Sequence, residues 1–284
     1  MGSPKNNLID RAAVVIVSDT HENHVYGLGP PTFTKSDGDT IKANPIRREL
    51  WNIWNKFWDQ ALKIADGYPL VIVTLGDIIE SDAKTRSPQD LVSRSPVDAL
   101  RMVTETLEPL FNQAEKALII RGTEAHVGNG AWQEEMVAQD FDNVIADKDH
   151  NNASWWHFFG KFGGVSFDLA HHASLPGIRR NVAGGAGRLA SDVMTEYVMQ
   201  WERRPPDLVV RAHNHRFADS GHTYPTRALF TGCFQYKSTF SHRIGKSHEM
   251  PNLGGLVVLC ENGEYRLSPI RVRPKKKRLW LPTT

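Results

Sequence analysis

Val14-Val15-Ile16-Val17-Ser18-Asp19-Thr20-His21 decides the reading of this chain. The run from Val14 to Val17 is wholly β-branched and too short for a helix, which marks a strand buried on both faces. Its carboxyl end delivers a carboxylate and, two residues on, an imidazole. The same construction recurs downstream. Val71-Ile72-Val73-Thr74-Leu75 runs into Gly76-Asp77, and Leu118-Ile119-Ile120 runs into Arg121-Gly122-Thr123-Glu124-Ala125-His126. Phe167-Asp168-Leu169-Ala170 ends in His171-His172, and Leu208-Val209-Val210-Arg211-Ala212 ends in His213-Asn214-His215. One such end would carry little weight, but these expected strands form a series. In an open α/β sheet the carboxyl ends of the strands share one crevice, where ligands bind.

The segments between these strands complete an α/β pattern. Val25 to Asn44, rich in Gly, Pro and Asp, reads as loop. A helix is expected from Pro45 to Ala65, where Trp51, Trp54, Trp58, Leu62 and Ala65 recur at spacings of three and four on one face. That stripe reads as packed core rather than a base-stacking platform. A second helix is expected from Pro96 to Glu115 through Leu100, Val103, Leu107 and Phe111. Trp155–Phe159 and Val165–Leu169 read as a hairpin, Arg188–Trp201 as a helix and Asp207–Arg211 as a strand. Ala228–Phe230, Leu256–Cys260 and Tyr265–Ile270 read as closing strands. No repeat or linker interrupts the pattern, so residues 1–272 are expected to form a single domain, followed by a basic tail over 273–284.

The chain of 284 residues is 40% hydrophobic, enough for a substantial core, and its 23% charged content argues against a disordered protein. Its formal charge is +2, yet Arg271, Arg273, Lys275, Lys276, Lys277 and Arg278 contribute six positive charges; without them the remainder stands at −4. The basic character is a property of the tail, either a solvated end or a contact for a phosphate backbone. Cys233 and Cys260 lie in apolar surroundings and read as buried free thiols, which fits a reducing, cytoplasmic compartment. No apolar stretch approaches the roughly 20 residues that span a bilayer. Asn6 at the position of the required Ser or Thr argues against N-myristoylation at Gly2.

Carboxylates and imidazoles without thiolate suit Mn²⁺, Fe or Zn²⁺ better than Ca²⁺ alone. The order Asp-x-His, Gly-Asp, a Gly-led turn with His, His, and His-x-His resembles the signature of calcineurin-like metallophosphoesterases over residues 12–216. The resemblance implies a four-layer αββα sandwich of two mixed β-sheets flanked by helices. It further implies two divalent metal ions, with Mn²⁺ first and Fe, Zn²⁺ or Ni²⁺ as alternatives, and hydrolysis of phosphate esters by a metal-bridging hydroxide. Asp19, His21 and His215 would serve the first ion, Asp77 would bridge, and His171 and His213 would serve the second. His172 competes with His171 for that role. His126 would steady or protonate the leaving group.

The chain departs from the family at Gly122-Thr123-Glu124-Ala125-His126, where the family has Gly-Asn-His. The metal-binding Asn is absent and the histidine lies two positions later. Thr123 stands at the Asn position but offers only a neutral hydroxyl; Glu124 is the better donor for a hard cation. A weaker, exchangeable second metal would follow. Arg121 could touch phosphate or pair structurally. His150, His157, His222, His242 and His248 read as surface or structural residues, and so does His24, unless it lines the pocket. The segment Gln235–Gly254, with Lys237, Arg243, Lys246 and His248, could border the cleft or be a surface loop.

The leading functional expectation is a phosphodiesterase acting on nucleic acid or nucleotides, with DNA or RNA as partner and no membrane. A phosphomonoesterase or protein phosphatase on the same metals is the alternative. A non-catalytic scaffold is the third reading, favoured only by the altered turn.

Overall fold

The computed structural model describes residues 10–81, 90–173, 182–200, 204–238 and 250–273. In chain order the first half carries β1 (Arg11–Val17), β2 (Thr32–Thr34), β3 (Thr40–Lys42), α1 (Pro45–Ala65), β4 (Leu70–Leu75), α2 (Pro96–Phe111) and β5 (Lys116–Ile120). Two short helices follow, α3 (Glu124–Val127) and α4 (Trp132–Gln139). The second half carries β6 (His157–Phe162), β7 (Val165–Ala170), α5 (Val182–Thr195), β8 (Leu208–Arg211), β9 (Ala218–Asp219), β10 (Arg227–Phe230), β11 (Leu253–Glu261) and β12 (Glu264–Val272).

These strands form two five-stranded mixed sheets, ordered β12-β11-β1-β4-β5 and β6-β7-β8-β10-β9. In the first, β1, β4 and β5 run parallel and β11 and β12 antiparallel. In the second, β7, β8 and β10 are parallel, with β6 and β9 as antiparallel edges. Successive side chains of a strand point to opposite faces, so each central strand feeds two cores. Val14 and Ile16 of β1 join Val73, Leu118, Phe167, Leu169 and Val210 between the sheets. Ala13, Val15 and Val17 face outward against Leu50, Trp54 and Phe57 of α1 and Val103 and Leu107 of α2. On the far side, Val209, Ala228 and Phe230 pack against Val182, Ala186 and Leu189 of α5. The layers are therefore helix, sheet, sheet, helix, as expected. Truncating a fully buried ring such as Phe167 to Ala would cost about 3–5 kcal/mol.

α1 has the expected bounds. Asn44 accepts a hydrogen bond from Arg47 N, and Pro45 occupies the first turn, where its missing N–H costs nothing. The tryptophan stripe is core: Trp54 and Trp58 are buried, and Trp54 meets Phe234 edge-on at 4.7 Å.

Elsewhere the structure differs from the pattern in its details. The stretch expected as loop contains the β2–β3 hairpin, whose buried Phe33 anchors an otherwise exposed ribbon. α2 stops at Phe111, where Asn112 donates back to Glu108 O. The first hairpin strand is displaced to His157–Phe162 while the second begins at Val165 as expected, because the two-residue turn is Gly163-Gly164, both at positive φ (56° and 80°), as such a tight connection requires. The helix expected from Arg188 begins at Val182, a start masked in sequence by the poor helix formers Gly184, Gly185 and Gly187. It passes into a π-helical turn over Glu196–Gln200. Trp201, His242, His248, Arg243, Lys246 and the tail from residue 274 lie outside the described residues.

Candidate metal centre

The carboxyl ends of β1, β4, β5, β7 and β8 converge at one edge of the sandwich. Their chains leave the sheets in strained conformations: Asp19, His21, Asp77, His213 and His215 all have positive φ, between 43° and 67°. Left-handed backbone is uncommon for such residues and clusters at functional sites. Backbone hydrogen bonds tie the turns together, from Asp19 N to Gly76 O and from His21 N to Asp77 O, both at 3.0 Å. The two glycines of the motifs are there for space. A Cβ on Gly76 would stand 2.6 Å from His171 Nδ1, and one on Gly122 would stand 2.3 Å from Asp77 Oδ1.

Two sets of ligand-type atoms result. In the first, Asp19, His21 and His215 bring one atom each within 4.8 Å of one another. Asp19 Oδ1 lies 3.1 Å from His215 Nε2 and 3.8 Å from His21 Nε2. In the second, His171 Nε2 lies 3.0 Å from Asp77 Oδ2 and 3.2 Å from His213 Nδ1. Asp77 Oδ2 also lies 4.0 Å from His21 Nε2, so a single carboxylate oxygen faces both sets.

Thr123 Oγ1 enters the second set, 3.1 Å from Asp77 Oδ2 and 3.0 Å from His172 Nε2. Glu124 does not join it: its Oε1 accepts from Gly130 N at 2.9 Å, because the residue opens α3 and faces along the loop rather than into the crevice. Both neighbours, His171 and His172, reach the second set, His171 from a buried position and His172 from an exposed one.

The donors suit divalent cations. His21 Nε2 is buried and has no hydrogen-bond partner among the described residues, while buried Asp19 Oδ1 meets the His215 imidazole at 3.1 Å. An orphaned nitrogen of this kind is costly unless something else pairs it. Burial would raise Asp77, but His171 and His213 hold it well below the carboxylate range. Burial likewise works against the charge on Asp19, yet His215 draws it down. The protons sit on imidazole instead: burial opposes it, but Asp77 and Asp19 raise His171 to about 9. Metal binding at such a cluster releases protons, since the ligating imidazole must be neutral.

Two glutamates that strand-end reasoning did not single out complete the surroundings. Buried Glu80 lies 3.0 Å from Nδ1 of both His21 and His126. Burial would raise its pKa, but those contacts hold it at about 2. In return, Glu80 and Asp77 overcome the burial of His126 and lift it to about 9. The signal was available, for Glu80 closes the loop Gly76-Asp77-Ile78-Ile79-Glu80. Fully buried Glu134 of α4 accepts from Gly122 N at 2.5 Å and Ile78 N at 3.1 Å, clamping the turns after β5 and β4 together. Burial and Asp77 push it up to about 8. Nothing in the local sequence distinguishes Glu134 from a surface helix residue.

The remaining candidates resolve structurally. Arg121 bonds Glu135 and Ser154 at 2.9 and 2.8 Å, a structural pairing. His24 is buried beside the crevice, where its Nδ1 accepts from Tyr26 N. His150 pairs with Asp147, His157 with Asp168, and His222 with Arg227. Both cysteines are buried free thiols. No helix among the described residues is long and apolar enough to cross a membrane.

No family model and no curated protein matches the sequence. Solved structures that resemble the chain include a conserved uncharacterized protein from Streptococcus pneumoniae TIGR4, described as a predicted phosphoesterase. It is 10% identical, with TM-score 0.39, and the match covers 92% of this chain and 90% of that one. A single mutant of Vps29 from Entamoeba histolytica is 10% identical with TM-score 0.41, covering 92% and 99%. A dimetal phosphatase from Danio rerio is 8% identical with TM-score 0.48, covering 92% and 96%.

Proposed function

We propose that this chain is a dinuclear metal-dependent phosphoesterase, acting on phosphodiesters of nucleic acid or nucleotides. The observation that carries the reading is Asp77 Oδ2, a single buried carboxylate oxygen between two sets of imidazoles, 3.0 Å from His171 and 4.0 Å from His21. Asp19, His21 and His215 would hold one ion with Asp77, and Asp77, His171 and His213 the other. Ions at such a site supply Lewis acidity toward water and toward phosphoryl oxygen. The imidazole-rich set favours Mn²⁺, Fe, Zn²⁺ or Ni²⁺ over Mg²⁺, which prefers oxygen and retains its waters.

The protein's own groups supply the rest. Glu80 engages His126 at Nδ1, so the proton offered to a leaving oxygen is the one on Nε2. A His126 pKa of about 9 keeps that proton in place at neutral pH. Bound to Glu80 by its own Nδ1, His21 presents Nε2 toward Asp19 and Asp77.

The preference for nucleic acid or nucleotides has separate support. Trp132 and Trp156 are 42% and 46% exposed and flank the turn that carries His126, Trp132 against Gly128 and Trp156 beside Arg121. Exposed aromatic faces suit base stacking. The basic tail, rich in Lys and Arg, suits a phosphate backbone. The test is metal analysis of the purified protein together with hydrolysis of a diester, a monoester and single-stranded DNA. Two ions per chain and fastest turnover on the diester are expected. A protein that takes up no ion, or turns over none of the three when loaded, ends the reading.

A further inference from the structure

Thr123 brings only a neutral hydroxyl to the rim of the second set, and a neutral hydroxyl is a poor metal donor. The structure shows what approaches that point instead. His172 Nε2 lies 3.0 Å from Thr123 Oγ1, which is itself 3.2 Å from His213 Nδ1 and 3.1 Å from Asp77 Oδ2. One nitrogen each of His171, His172 and His213 falls within 4.8 Å of the others. The three rings form a closed triangle, with centroids 4.7, 5.1 and 4.6 Å apart.

Adjacent residues on a strand point to opposite faces, so a histidine pair would ordinarily split between core and solvent. Here β7 ends at Ala170 and the chain bends at His171, which lets both rings turn toward the crevice. The inner ring is fixed by Nδ1, 2.7 Å from Leu75 O, and turns Nε2 toward Asp77. The outer ring differs from the surface histidines His150 and His157, each of which is paired with an aspartate. Its hydrogen-bonding contact is the Thr123 hydroxyl at the rim of the second set.

We infer that His172 is a ligand of the second ion, supplying the donor that the Thr123 hydroxyl does not, so that this half holds its ion with three imidazoles and Asp77. This rests on the dinuclear reading. Three imidazoles with an open position form a known catalytic donor set, and its softness favours Zn²⁺, Co²⁺ or Ni²⁺ over Mg²⁺. Thr123 is then a hydrogen-bonding neighbour of the ligands rather than a donor itself.

Co²⁺ loading of the full chain tests this by stoichiometry and visible absorption, with no need of turnover. Wild type should bind two ions. His172→Ala should keep the first and bind the second more weakly by about 100-fold or more, since even removing a residue behind a ligand costs 10–100-fold. The visible absorption of the second ion should fall with it. Adding Thr123→Asn to that variant should restore the second ion by supplying an amide oxygen at the rim that His172 vacates. His172 is exposed, so circular dichroism and the melting temperature of the metal-free protein should not change. The inference is overturned if His172→Ala binds both ions with wild-type affinity and spectrum, or if it loses both together. Wild type binding fewer than two ions would overturn the dinuclear reading itself, and this inference with it.

Discussion

The two halves of the candidate centre are built on opposite principles. Around Asp19 and His21 the atoms are buried, His21 Nε2 has no hydrogen-bond partner among the described residues, Asp19 Oδ1 meets His215 Nε2 at 3.1 Å, and the positions are fixed from behind by backbone hydrogen bonds and by Glu80. Around His171, His172, His213 and Thr123 the atoms already hydrogen-bond one another, and the set opens toward water through His172. An ion entering the first half relieves the unpaired, buried Nε2 of His21, so its binding free energy adds directly to the stability of the fold. An ion entering the second half must displace contacts among its own ligands. The first half should therefore hold its ion more tightly, and the second should exchange it more readily. Graded chelation followed by metal analysis should empty the half containing His213 first.

The largest effect should come from the residue that belongs to both halves. Asp77→Asn leaves the volume unchanged but removes the charge between the two sets, where Asp77 Oδ2 faces His171 and His21. Removing groups behind a ligand costs 10–100-fold, and a shared ligand should cost well over 100-fold in turnover and lower both occupancies. Turnover above about a tenth of wild type would remove Asp77 from the bridging role, and the halves would then have to be treated as separate sites.

Next is the residue that should alter chemistry without altering occupancy. His126→Ala should lower turnover by about 100-fold or more on an ester with a poor leaving group, and much less on nitrophenyl esters, which need little protonation. Its metal content should match wild type. His213→Ala should instead release the second ion. If His126→Ala empties a site, this histidine is a ligand; its nearness to His21 and Asp77 makes that outcome a real test.

How much of this was legible differs between the halves in the same way. β1 and β4 are continuous apolar runs buried on both faces, so their ends, and with them Asp19, His21 and Asp77, could be located from hydrophobicity alone. The layer order was implied by the family resemblance that these ends carry, whereas the runs themselves gave only an α/β pattern. The second half depends on what happens after a strand ends. That His171 and His172 both turn inward follows from a bend, which no residue type in Ala170-His171-His172-Ala173 announces. Glu124 was the better donor by chemistry, yet the start of α3 turns it to Gly130 N. Glu134 approaches from α4, far along the chain, and only the packing of that helix against the turns after β4 and β5 brings its carboxylate to Gly122 and Ile78. Periodicity finds elements, whereas tertiary contacts between loops leave no period to find.

Glu80→Gln should give an intermediate loss. The amide keeps the shape but not the charge that orients His21 in the first half and keeps His126 protonated. Loss of such a supporting carboxylate costs about 10-fold to 100-fold. The alkaline limb of the rate profile should move to lower pH, because His126 loses the partner that raises it. An unchanged alkaline limb would mean that His126 does not supply the proton.

The smallest effect should come from the clasp behind the turn that joins the halves. Glu135 accepts from Arg121 Nη2 at 2.9 Å, Ala153 N at 2.8 Å and Ser154 N at 2.9 Å, bracing the chain just before Thr123 and His126. Burial would raise this carboxyl, but the hydrogen bonds from Ala153 and Ser154 bring it from 4.5 down to about 2. A folded-state pKa below the unfolded value means that the contribution to stability is complete above the unfolded pKa and is lost as the pH falls toward the folded one. Glu135→Gln, measured on metal-free protein so that ligand protonation does not intrude, should melt a few degrees below wild type at neutral pH. The gap should narrow steadily as the pH is lowered from about 5 toward 2, because the unfolded wild type then takes up a proton that the folded clasp excludes. Metal stoichiometry should be the same in both proteins. A gap that stays constant into acid would show that the clasp acts by shape rather than charge. Loss of only the more labile ion in Glu135→Gln would show that the second half, through Thr123, depends on this brace more than the first half does through His126.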